Sequence, residues 1–116
     1  AKFGPMIDKF DTFICPTNAV TGIPANHGYP NLDYEFNGKL RSTKEDGDET
    51  MWLTTPFNMM SRLPVMSAPT GFASNNIPTG MQIVGKPYDD NSVFKVSFAY
   101  EKSLEWLFDK KNRPSC

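Results

Sequence analysis

Residues 55–85 of this chain read TPFNMMSRLPVMSAPTGFASNNIPTGMQIVG, short apolar runs separated at close intervals by prolines and glycines. This punctuation limits the fold more than any other feature. Proline has no N–H to donate and a fixed φ, so neither a long helix nor a long central strand runs through Pro56, Pro64, Pro69 and Pro78. Short elements remain. Residues 64–69 (PVMSAP) and 80–85 (GMQIVG) read as strands of the buried type. Residues 71–80, with Asn75 and Asn76, read as a turn region short enough for a hairpin in which those strands pair directly.

Upstream, residues 10–16 (FDTFICP) form an apolar, β-branched and aromatic run, read as a short buried strand closed by Pro16. Residues 17–48 hold Pro24, His27, Gly28, Pro30, Asn31, Asn37 and Gly38, and a charged run covers 41–49. We read 17–48 as a long loop, a length that signals a functional or mobile excursion. Over 49–61, Met51, Trp52, Thr55, Phe57 and Met59 line a short helix that tolerates Pro56 in a first turn or at a kink. The clearest element is a C-terminal helix over 89–111. Asp89, Asp90 and Asn91 offer N-cap oxygens. Val93, Phe94, Val96, Ala99, Tyr100, Leu104, Leu107 and Phe108 then recur at helical spacing up to Lys110, Lys111 and Arg113, before Asn112 and Pro114 stop the run.

Composition narrows the function classes. With 116 residues, 39% hydrophobic, 22% charged and a formal net charge of -1, this is the profile of a globular chain with a modest core. That balance points to neither a nucleic-acid nor an anionic-membrane partner. No stretch approaches the roughly 18 to 20 apolar residues needed to span a bilayer, and no leader opens the chain. Because the first residue is Ala1, the expectation is that the chain starts inside a longer protein. Cys15 and Cys116 do not make a disulfide framework, so reduced thiols and a cytoplasmic setting are expected.

An aspartate and apolar strand ending in Pro-Thr (11–17) is followed by Pro-Phe-Asn (56–58) and Pro-x-x-x-x-Pro-x-Gly (64–71). Pro-x-Gly-x-Gln-Ile-Val-Gly (78–85) and a helix containing Ala-Tyr-Glu (99–101) complete the series. In this order, over nearly the whole chain, these motifs resemble the amidase signature family. The resemblance implies an α/β fold, specifically the C-terminal part of the amidase signature fold, a mixed β-sheet flanked by helices, with residues 1–116 forming a C-terminal segment of an amidase domain. It also implies hydrolysis of C–N amide bonds by a Ser-Ser-Lys triad within a glycine- and serine-rich signature, which supplies a nucleophile, a base and oxyanion donors. This chain has no such run, and none of its lysines matches the catalytic one. It resembles roughly the last quarter of such an enzyme. No residue here is assigned a catalytic role, and the chain alone is expected to be inactive. The implied partners are a small-molecule amide substrate and the missing N-terminal portion of the same protein, with no cofactor and with self-association through exposed strand edges.

In the family, the helix before the Phe-Asn pair lines the pocket for the part of the substrate away from the scissile bond. The matching positions are Met51 and Thr55, four apart, so on a helix both face one way. In the glutamine-dependent tRNA amidotransferase branch the position of Met51 is typically an acid that grips the substrate's amino group, whereas methionine suits an apolar or aryl group. Packing alone also accounts for both residues. Thr17 and Asn18 follow the strand end at Pro16, where open-sheet enzymes place ligands, so they are read as pocket rim or as a plain turn. The family pattern sets a glycine three residues after the Asn and a proline two further on. Here those positions read Ser61 and, one residue late, Pro64, and Arg62 faces either solvent or the site.

Other residues carry less. His27, the only histidine, reads as a surface loop residue, and Cys15 as a small buried hydrophobe. One His and two distant Cys do not supply a metal site. Asp46, Asp48 and Glu49 lack calcium-loop spacing and read as a solvated acidic turn. Asn58 and Gln82 need hydrogen-bond partners if buried and are read as braces. Gly71, Gly80 and Gly85 read as turn and close-approach positions. A non-catalytic module that folds alone and binds a small molecule or protein is the rival reading, and a fragment with no function of its own is a third.

Overall fold

The computed structural model describes residues 3–23, 25, 32–46, 51–104 and 109. Within these, helix α1 (Phe3–Ile7) precedes strand β1 (Phe13–Pro16), and a hairpin of β2 (Asp33–Phe36) and β3 (Lys39–Ser42) runs into the short α2 (Thr43–Asp46). Helix α3 (Thr55–Met59), strands β4 (Val65–Phe72) and β5 (Pro78–Val84), and helix α4 (Asp90–Ser103) complete a mixed α/β architecture.

The main sheet has the order β1-β5-β4, antiparallel at both pairings. Its centre is β5, the GMQIVG run, whose Ile83 and Val84 are each 0% exposed. Successive residues of a strand face opposite sides, so these two feed different cores. Val84 packs with Ile7 of α1, Phe57 of α3, Phe3, Phe13 and Leu63. Phe3 meets Phe13 edge-on, ring centroids 5.9 Å apart, and Phe57 lies 5.8 Å from both. Ile83 packs with Ala68 of β4 and Val93 of α4, joined by Met66, Met81, Val96 and Tyr100. Burying each such side chain contributes about 1.5–3 kcal/mol before chain entropy is counted.

The direct β4–β5 hairpin expected from the proline and glycine spacing is present. Both strands extend into the expected turn region, leaving 73–77 as the connection, where Ala73 N–H donates to Ile77 O (2.9 Å) and Asn76 adopts φ 61°. The register shifts between Pro69 and Gly71, and Gly71 takes φ 117°, a β-bulge position that a side chain resists. At Gly85 a Cβ would lie 2.6 Å from Val93 Cγ2 and 2.9 Å from Pro64 Cγ, so the close approach read for this glycine is what lets α4 pack on β5.

Four readings change. The first strand starts at Phe13, not at 10, and with β4 it is an edge rather than a buried strand. Each has β5 as its one partner, so burial alternates along β1 and Ile14 is half exposed. Residues 17–48, read as one long loop, contain the β2–β3 hairpin, turned by Asn37 (φ 52°) and Gly38 (φ 72°). Both φ values are positive, as the two-residue turn that matches strand twist requires. The helix read over 49–61 spans only Thr55–Met59, since Pro56 sits in its first turn and cannot continue a ladder from upstream. Finally, α4 ends at Ser103. There Ser103 Oγ donates to Tyr100 O (2.7 Å) and Leu104 N–H turns back to Glu101 O (3.2 Å), which breaks the i−4 ladder.

The start of α4 is as read. Asp89 is the N-cap, accepting from Ser92 N–H at 3.2 Å, with Asp90 in the first turn and Lys102 in the last. Tyr100 O–H donates to Pro69 O (2.7 Å) and pins the helix to β4. His27, Asp48, Glu49, Leu107, Phe108, Lys110, Lys111 and Cys116 lie outside the described residues.

Candidate functional site

Beyond the end of β1 the chain cannot continue the sheet regularly, and a second segment crosses it. Thr17 holds on to β5, its N–H and its Oγ1 each 3.1 Å from Gly80 O. Asn18 then forms an isolated antiparallel bridge with Trp52, and Ala19 N–H donates to Met51 O at 2.9 Å. These contacts bring the exit of β1, the 51–53 turn and the start of β5 around one cavity of about 790 Å³.

Of the residues read as binding candidates, Thr17, Asn18 and Met51 line this cavity, and Thr55 does not. Met51 is 1% exposed and lies in the turn ahead of α3, so it shares no helix face with Thr55, which is half-buried in the first turn of α3. The lining also includes Ile14, Trp52, Ile77, Thr79 and Met81, none of them marked for this role by the sequence. Trp52 and Ile77 were legible as apolar residues beside turns, but nothing local said that they face each other. Among the described residues the lining holds no Asp, Glu, Lys, Arg or His, so it offers apolar surface, backbone groups and hydroxyls to an uncharged guest. Thr79 Oγ1 is already engaged with Thr70 Oγ1 (2.8 Å).

Gln82 is 1% exposed and braces this region, while Asn58 is exposed. The Gln82 side-chain amide donates to Pro16 O and Leu53 O, both at 3.0 Å, and lies 3.4 Å from Cys15 Sγ. Burial pushes the Cys15 thiol up, partly offset by the Gln82 hydrogen bond, which keeps it protonated and a poor nucleophile. Ser61 adopts φ 38°, with Arg62 N–H donating to Met60 O at 2.6 Å in a three-residue turn. Arg62 itself is exposed. Among the described residues no group of three or more His, Cys, Asp or Glu is placed to hold a metal ion, and no helix is long and apolar enough to cross a membrane.

Comparison with known proteins gives relatives of one kind, the A-type polypeptide of glutamyl-tRNA(Gln) amidotransferases. That of Rippkaea orientalis is 31% identical over 108 residues, covering 90% of this chain and 19% of that protein. Those of Bacillus mycoides and Thermodesulfovibrio yellowstonii are 37% and 35% identical over 67 and 66 residues, each match covering 54% of this chain and 14% of the relative. The chain thus spans less than a fifth of the length of these curated relatives, in their C-terminal region. No family model matches the chain. No solved structure matches it either.

Proposed function

We infer that this chain, which belongs to the amidase signature family and matches the C-terminal region of its relatives, forms the substrate-pocket wall of an amidase that hydrolyses C–N amide bonds. In this reading the Ser-Ser-Lys triad comes from an N-terminal portion of the same polypeptide, which packs against the sheet. The cavity takes the part of a small amide substrate that is not cleaved. The enzyme works in the cytoplasm, without cofactor, membrane or nucleic acid, and β1 and β4 as open edges favour self-association when the segment is isolated.

The observation that supports this most is the cavity itself. Its described lining is uncharged, and Met51, Thr17 and Asn18 meet there from separate parts of the chain. A pocket of this kind holds an apolar or aryl group by burial, at about 0.8 kcal/mol per CH₂, and so fixes the scissile carbonyl against a nucleophile supplied from elsewhere. Thr55, outside the lining, enters the proposal as a second contact, to be probed by Thr55→Val.

The test is a substrate panel with the full polypeptide. Met51→Ala is expected to lower kcat/KM for aryl amides by on the order of tenfold relative to acetamide, with unfolding curves confirming a folded variant. Unchanged ratios across the panel remove Met51 from the pocket. The segment alone should show no turnover above buffer, and clear turnover overturns the assignment of the triad to another part of the polypeptide. Binding of a ligand or protein by the segment without any amidase activity in the full polypeptide favours the non-catalytic module instead.

A further inference from the structure

Met51 and Trp52 form one wall of the cavity, yet they belong to no helix or strand. They sit in the turn ahead of α3, so their distance from the opposite wall depends on whatever ties the turn down. Two ties exist. One is the backbone bridge of Asn18 with Trp52, with Ala19 N–H donating to Met51 O. The other is Gln82, whose amide nitrogen donates at once to Pro16 O, the residue before Thr17, and to Leu53 O, the residue after Trp52, both at 3.0 Å. Two carbonyl acceptors fix which end of the amide points there, since only the nitrogen donates. The side chain is 1% exposed and is not part of the cavity lining, and its Oε1 is buried without a partner. A glutamine kept in a core at the cost of an unmatched acceptor implies that its two donated bonds matter.

We propose that Gln82 is a positioning residue that sets the gap between the Thr17–Asn18 wall and the Met51–Trp52 wall, and thereby the size of the uncharged group the enzyme accepts. This rests on the reading of the cavity as the substrate pocket. Gln82 touches no substrate. It acts by holding two backbone carbonyls at a common donor, so that the turn carrying Met51 and Trp52 does not drift away from β1. Without that donor the two carbonyls lose their shared partner, and one of the two ties across the cavity is gone.

The experiment uses the full polypeptide and two neutral probes, benzamide and acetamide, with Trp52→Ala as the arm that tests the pocket itself. Gln82→Met keeps the size of the side chain and removes both donated bonds. It is expected to raise KM for benzamide and to shrink the benzamide-to-acetamide ratio of kcat/KM by about tenfold, leaving kcat for acetamide near wild type. Gln82→Glu keeps the shape but donates only when protonated, so its ratio should recover as pH falls from 8 to 5. If Gln82→Met fails to fold, the Gln82→Glu pH series decides alone. The proposal is overturned if Gln82→Met lowers both substrates in proportion, or if the Gln82→Glu ratio is flat with pH while Trp52→Ala moves it. If Trp52→Ala also leaves the ratio unchanged, the pocket reading has failed and the role of Gln82 falls with it.

Discussion

In the β2–β3 hairpin two short strands are joined by Asn37 and Gly38 and lie mostly exposed, with Leu40 at 77%. In β4–β5 the turn is longer, the register is broken by a bulge, and β5 is covered on both faces. The first hairpin is a product of turn chemistry. Its closing contact is the reciprocal pair of Leu32 and Thr43, with N–H to O at 2.9 Å in one direction and N–H to Oγ1 at 2.9 Å in the other. The second is a product of packing, since its turn is irregular and its stability comes from Ile83 and Val84. A good turn suffices to form a ribbon, but a two-stranded ribbon alone is marginal, and a core is needed to make it a framework for a cavity.

The largest expected contrast follows from this. Ile83→Ala should cost about 3 kcal/mol in urea unfolding, whereas Leu40→Ala should stay within about 0.5 kcal/mol. Equal effects would erase the distinction between the hairpins. Gly38→Ala forces a side chain into the left-handed region and should cost on the order of 1–2 kcal/mol, felt locally. Amide exchange should accelerate in β2 and β3 and stay unchanged in β5; acceleration in both would mean the ribbon and the main sheet open together.

Just ahead of β4, Ser61 holds φ 38° where the family pattern has glycine. Ser61→Gly should therefore raise stability by about 1 kcal/mol, read as a higher urea midpoint, while a lower midpoint would show that the serine side chain matters to the turn. The smallest effect concerns the cap of α4. Hydrogen bonds from the Ser92 side chain and backbone hold the Asp89 carboxyl below the usual carboxylate range. A depressed folded value means that its contribution is present above that range and is lost as pH falls through the folded value. Asp89→Asn should flatten this part of the acid limb of stability. An unchanged limb would place that proton uptake elsewhere.

Much of this was legible in the chain. The hairpin of residues around 73–77, the close approach at Gly85 and the Asp89 cap all follow from neighbours in sequence. The Asn37–Gly38 turn carries an equally strong two-residue hairpin signal, but the surrounding prolines and charges mask it. The binding candidates divide differently. Thr17 and Asn18 stand out at a strand end and Met51 through a resemblance, while Trp52, Ile77 and Met81 give no local sign of sharing a cavity. The expected helix face joining Met51 to Thr55 does not exist, because Pro56 starts the helix after Met51.

By itself, then, the sequence determined the lengths of the elements, the turns, the helix cap and the family, since each depends on φ preferences, missing donors and residues a few positions apart. Only the tertiary structure decided that β5 is central, that β1 and β4 are edges, and that Gln82 clasps Pro16 and Leu53. Those outcomes depend on which distant backbone groups find each other, and Gln82 and Pro16 are 66 residues apart in the chain. No periodicity within either segment encodes that meeting.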